Sequence, residues 1–126
     1  MPTAVTTGQH ARTARMDVHE VAAVLVQGLG PTLVAAMTGS KDRKLPSKWA
    51  KPDGPRPSAD FTRRLQLGHR VWVALSESES EHVARQWFLG GNPVLHEDTP
   101  ITAIREDRGS EVIEAVESFL RGDPDV

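Results

Sequence analysis

The sequence predicts an all-α protein, and three observations predict it. Apolar residues recur at helical spacing, most cleanly at Val112, Ile113, Val116, Phe119 and Leu120, which share one face at 3.6 residues per turn. No long stretch alternates apolar and polar residues at period two, as a half-buried strand would. The periodic segments are also bounded by capping and breaking residues: Asp17, Gly30-Pro31, Ser58, Thr99-Pro100 and Gly109-Ser110.

Residues 1–15 are small and polar, without apolar periodicity, and are expected to form a flexible arm. Asp17 caps the first helix, whose inner face is Val18, Val21, Ala22, Leu25 and Leu29, and Gly28 and Gly30 are expected to end it. Pro31 suits the first turn of a second helix, where its missing N–H is not needed. That helix carries Leu33, Val34, Ala36 and Met37 and stops near Gly39. Ser40 to Ala50 is basic, with Leu45 and Trp49 four residues apart. This spacing puts both on one face of a short helix and leaves Lys44, Ser47 and Lys48 outside. Pro46 restricts where that helix can begin. Lys51 to Pro57 is a loop by composition.

Ser58 caps the longest helix, expected to run to about Ser76 with Phe61, Leu65, Trp72 and Leu75 as its core stripe. From Ser76 to Glu81 serine alternates with glutamate, an acidic connector that also supplies a cap and favourable charge for the next helix. Val83, Ala84, Trp87 and Phe88 lie on that helix. Gly90-Gly91-Asn92-Pro93 breaks the chain, and Thr99-Pro100 starts a short helix. Gly109 is expected to end it in a left-handed conformation, with Ser110 capping the last helix. The expected division is an arm at 1–15, a helix-turn-helix region with its long following helix at 16–76, and a small helical unit at 77–126.

The 126 residues suit one domain or two very small ones. Cysteine is absent, which excludes disulfides and thiolate metal sites. Neither a signal-peptide stretch nor a membrane-length apolar run is present, so a cytoplasmic protein without a membrane partner is expected. The net charge of -2 is unevenly spread. Residues 41–70 hold nine basic and three acidic residues, whereas residues 71–126 hold four basic and twelve acidic. A basic middle attracts phosphate or an acidic surface, and an acidic end repels DNA.

Little points to catalysis. His10, His19, His69, His82 and His96 show no metal-ligand spacing. His69 reads as a boundary residue of the long helix. The serines and glutamates of the connector lie in a polar stretch where a nucleophile would lack a dry pocket. No phosphate-binding loop or dinucleotide fingerprint is present. No cofactor and no enzymatic activity are expected, with an enzyme lacking any sequence motif left open.

Two short helices, a glycine turn and a basic third helix match a helix-turn-helix, whose second helix enters the major groove while flanking cations hold phosphates. The candidate DNA-binding residues are Arg43, Lys44, Ser47 and Lys48, with Lys51 and Arg56 reaching phosphate from the following loop. The alternative is a degenerate helix-turn-helix kept as a packing or dimerisation platform.

The segment Glu81 to Gly122 combines a helix ending in Trp87, then Asn92-Pro93-Val94-Leu95, then Thr99-Pro100, a short helix, Gly109 and a final amphipathic helix. This ordered set resembles the toxin-binding domain of the Xre/MbcA/ParS antitoxins over about a third of the chain. Leu45 to Trp49 and the long following helix resemble the Xre-like part less closely. The resemblance implies a type II antitoxin that silences a co-encoded toxin, often an NAD-consuming RES-domain protein, and represses its own operon through the helix-turn-helix. A homodimer within a toxin–antitoxin assembly is expected. The candidate toxin-binding residues are Trp87, Asn92, Pro93, Leu95, Thr99, Pro100, Arg108, Arg121, Asp123, Asp125 and Val126. The acidic tail among them is expected to mimic the phosphates of NAD in a basic pocket. Two alternatives remain: a stand-alone regulator whose C-terminal region dimerises, and a small interaction adaptor that does not bind DNA.

Overall fold

The structure is a computed structural model that describes residues 13–14 and 16–123. The expected arm therefore lies almost wholly outside the described residues. Its end does not behave as a loose tail: Thr13 is 1% exposed, and its hydroxyl is hydrogen-bonded to His69 Nδ1 at 2.5 Å.

The described residues are helical, with no strand among them. Helix α1 (Val18–Leu29) begins where the Asp17 side chain accepts a hydrogen bond from the His19 amide. Gly28 does not end it. The helix continues through Leu29, and Gly30, at φ 90°, makes the break. Helix α2 (Pro31–Thr38) starts at once, its axis turned by 119° from that of α1. It stops at Gly39, which takes the left-handed conformation at φ 86°. Helix α3 (Leu45–Trp49) is five residues long. The Ser58 hydroxyl accepts from the Phe61 amide to open helix α4 (Ala59–Ser78).

Helix α4 runs to Ser78, past the expected stop at Ser76, so much of the serine–glutamate stretch is helical rather than a connector. Its serines and glutamates have good enough helix propensity to extend an already nucleated helix at little cost. Ser80 caps helix α5 (Glu81–Leu89). The Asn92 side chain accepts from the Val94 amide and closes a 3₁₀ turn at Pro93–Leu95, followed by left-handed His96 and Glu97. Thr99 caps helix α6 (Pro100–Arg105). Helix α7 (Gly109–Arg121) completes the described chain.

The junction of α6 and α7 departs from expectation. The left-handed residue is Asp107, at φ 61°, while Gly109 is already the first residue of α7 and Ser110 caps nothing. Aspartate is among the few side-chain-bearing residues that enter this region readily. Here two arginines hold its carboxylate.

Helix α4 is the central strut, packed against α1, α2, α5, α6 and α7. The buried apolar side chains form one cluster that runs from Val18 to Val116 and crosses the expected boundary at residue 76. His69 lies inside it at 2% exposure rather than at an edge. Gly28 sits where α1 crosses α4: a Cβ there would stand 2.4 Å from the Trp72 ring. The glycine is present for close packing, which explains why it does not stop the helix.

Candidate functional site

Helix α3 and its flanking turns form the basic surface, and the backbone there is held firmly. Trp49 is 1% exposed, and its ring lies 5.3 Å from that of Phe61. The His19 Nδ1–H donates to the Trp49 carbonyl at 2.8 Å, tying α3 to α1. Before α3, the Asp42 carboxylate accepts from the Lys44 amide at 2.9 Å. After it, the Lys51 amide donates to the Lys48 carbonyl and the Gly54 amide to the Lys51 carbonyl. A Cβ at Gly54 would fall 1.9 Å from the Lys48 carbonyl oxygen, so only glycine fits this return.

This framework leaves Arg43, Lys44, Ser47, Lys48, Lys51 and Arg56 exposed, together with Lys41, which was not among the sequence candidates. None of these six cations forms an ion pair among the described residues.

The other three cations of the basic block are engaged by the fold, Arg63 at the surface and Arg64 and Arg70 partly buried. Arg64 donates from Nη1 to the Thr38 carbonyl at 2.6 Å and grips Asp107 through Nε at 3.2 Å and Nη2 at 3.0 Å. Arg63 pairs with Asp60 at 3.1 Å and with Asp107 at 3.0 Å. These bonds, those from Arg64 first, hold the Asp107 carboxyl below the usual carboxylate range. Burial pushes the Arg70 guanidinium down from its ordinary value, with Glu117 opposing.

Three arginines of the C-terminal helices are likewise engaged, whereas Arg105 is exposed at the end of α6 without an ion pair among the described residues. Arg108 binds both Glu111 oxygens, Asp98, Glu106 and the Leu95 carbonyl, which raises its pKa. Arg85 donates to the Gly28 carbonyl at 3.0 Å. Arg121 pairs with Asp123 at 2.9 Å.

The motif residues proposed for toxin contact divide sharply by exposure. Leu95 and Trp87 belong to the core, and Asn92 and Pro100 are buried. Thr99 is half-buried and serves as a cap. Pro93 and Arg121 are exposed, and Arg108 is partly so. Asp123 is folded back onto α7, where it accepts from the Ser118 hydroxyl at 2.9 Å. Asp125 and Val126 lie outside the described residues. Leu89 was missed by sequence reasoning: at 49% it is the exposed large hydrophobic among the described residues, beside exposed Gln86, Gly90 and Gly91. Its place in the sequence, after Trp87-Phe88 and against a glycine pair, marks a helix end but not a surface.

Among the described residues, no cluster of three or more histidines and carboxylates could hold a metal ion. Three clefts have volumes of about 170, 270 and 240 Å³, at or below the small end for small-molecule sites. No described helix is by itself long and apolar enough to cross a membrane. Searches of family models, curated proteins and solved structures find no match to the chain.

Proposed function

We propose that the chain is an antitoxin of the Xre/MbcA/ParS type, with a DNA-facing side at α3 and a partner-facing side on its C-terminal helices. In this role it binds and neutralises a co-encoded RES-domain toxin that consumes NAD, and represses its own operon. One observation supports the two-sided reading most: how the charges are committed. Six exposed cations around α3 have no ion-pair partner among the described residues, whereas Arg108 and Arg121 are paired with neighbouring carboxylates. Cations left unpaired on a firmly held backbone suit a phosphate-bearing partner. A surface that is acidic overall and whose Arg108 and Arg121 are already paired, with Arg105 its one arginine lacking a partner among the described residues, suits a protein instead. There Leu89, Pro93 and Arg121 are the residues placed to touch it.

The shortness of α3 favours a second reading, an adaptor without DNA binding, because five residues offer little surface to a groove. One experiment separates the readings. The toxin encoded beside this chain is expressed in a bacterial host with and without it. Restored growth together with a stable co-purifying complex is expected. Growth arrest that persists despite soluble expression of both proteins removes the antitoxin reading.

A further inference from the structure

We infer that the basic surface around α3 grips the phosphate backbone of duplex DNA without reading its bases. This rests on the proposed DNA-facing role of that surface and narrows it: the surface supplies affinity for duplex DNA, and selection of the operon falls to the toxin–antitoxin assembly rather than to base contacts by this chain alone.

The dimensions of α3 come first. At a rise of 1.5 Å per residue, five residues span about 7.5 Å, under one and a half turns. A major groove is about 12 Å wide and 8.5 Å deep, and helices that read it offer several side chains to base edges. On α3, Pro46 and Trp49 are buried and Leu45 is half-buried, so Ser47 and Lys48 alone project. Discrimination between bases comes mainly from paired contacts made by several side chains at once: arginine or lysine to guanine, asparagine or glutamine to adenine. Helix α3 carries no arginine, asparagine or glutamine, and offers base edges only Lys48 and the short Ser47, too few to discriminate a site. The nearest arginines, Arg43 and Arg56, lie outside α3 on the segments before and after it.

The cations are nonetheless well placed for phosphates. The buried Trp49, the His19 bond to its carbonyl and the tight return at Gly54 fix the backbone that bears them. Lys41, Arg43 and Lys44 precede α3, Lys48 lies on it, and Lys51 and Arg56 follow it. Asp42 and Asp53 are exposed in the same stretch and oppose binding. Against six cations they leave a surplus of four positive charges over residues 41–58. Lysine, arginine and serine side chains are also the donors that proteins commonly direct at phosphate oxygens.

The test is fluorescence anisotropy with the full chain and two labelled duplexes of equal length and composition. One carries the DNA upstream of the chain's own reading frame, and the other is that sequence shuffled. Equal affinities within about twofold are expected. Both should weaken with salt, with a log–log slope of about -4 to -5, since each neutralised phosphate contributes about -0.9. Lys48→Ala should flatten the slope by about one on both duplexes. Its side chain is exposed, so an unchanged melting temperature confirms that the variant is folded. A tenfold or greater preference for the upstream duplex overturns the inference while leaving the DNA-facing role intact. Failure to bind either duplex at 50 mM salt overturns both.

Discussion

Replacing Gly28 with alanine probes the closest crossing in the fold. On helix propensity alone the change should stabilise, because alanine in a helix interior is favoured over glycine by about 1 kcal/mol. The surroundings reverse that. The new Cβ would lie 2.4, 2.7 and 2.8 Å from three atoms of the Trp72 ring, where ordinary contact begins near 3.4 Å. The ring is rigid and 4% exposed, and its centroid lies 6.4 Å from that of Phe88, so it has little room to swing away. The Gly28 carbonyl also accepts the Arg85 bond, which resists separation of α1 from α5. Forcing a methyl group into such a contact costs about 1–3 kcal/mol, here toward the upper end. The net expectation is a loss of about 1–2 kcal/mol and a melting temperature lower by about 4–8 °C. Gly68→Ala is the control. Its Cβ would meet Met37 at 2.6 and 2.7 Å, but the atoms met are Sδ and Cε, the far end of a flexible side chain. Thermal unfolding followed by circular dichroism should show Gly68→Ala close to the parent and Gly28→Ala clearly below it. If Gly28→Ala melts at or above the parent, or Gly68→Ala proves the worse, the packing account of Gly28 is wrong.

Asp107 supplies a pH-dependent prediction. Its carboxyl is held below the ordinary 3.8 by Arg64 and Arg63, so the folded state favours the ionised form more than the unfolded state does. The resulting stabilisation is present above about pH 3.8 and is lost as pH falls through the lower folded value. Asp107→Asn tolerates the left-handed backbone but lacks the charge. It should cost under about 1 kcal/mol at pH 7, as solvent-screened pairs do. Its melting curve should converge on the parent's as pH falls below 3.8 and through the lowered folded value, and a gap that stays constant with pH would show that the charge is not responsible. Asn92→Ala removes the acceptor for the Val94 amide and should lower stability by about 1 kcal/mol in urea titrations. An unchanged midpoint would mean that Asn92 is not a fold-maker and would return it to the set of contact residues.

What the sequence made legible was mostly local. Asp17, Ser58 and Thr99 cap helices as expected, since a cap needs only its own side chain and an amide two or three residues on. The outward placement of Lys44, Ser47 and Lys48 followed from the spacing of Leu45 and Trp49. What escaped the sequence depended on distant partners. Gly28 looked like a helix stop because Trp72, the ring it accommodates, lies far along the chain. Arg63 and Arg64 counted toward the basic charge of residues 41–70, but Asp107, more than forty residues later, pairs with both. Trp87, Asn92, Leu95 and Pro100 stood out as a motif, and a motif does not reveal which of its members face solvent. Their burial shows that much of the ordered pattern in this segment encodes the shape of the surface rather than the surface itself.

Arg64 has a mechanical consequence. Its guanidinium clasps the last carbonyl of α2 on one side and the turn between α6 and α7 on the other. This clasp adds to the direct packing of α2 on α6, and opening either side leaves part of the buried face of the guanidinium without an acceptor. A macromolecule docked only on the C-terminal helices would slow amide exchange and proteolytic nicking at the end of α2. Through that side chain and the α2–α6 contact, the step leading into the cationic ridge shares the kinetic fate of the C-terminal helices.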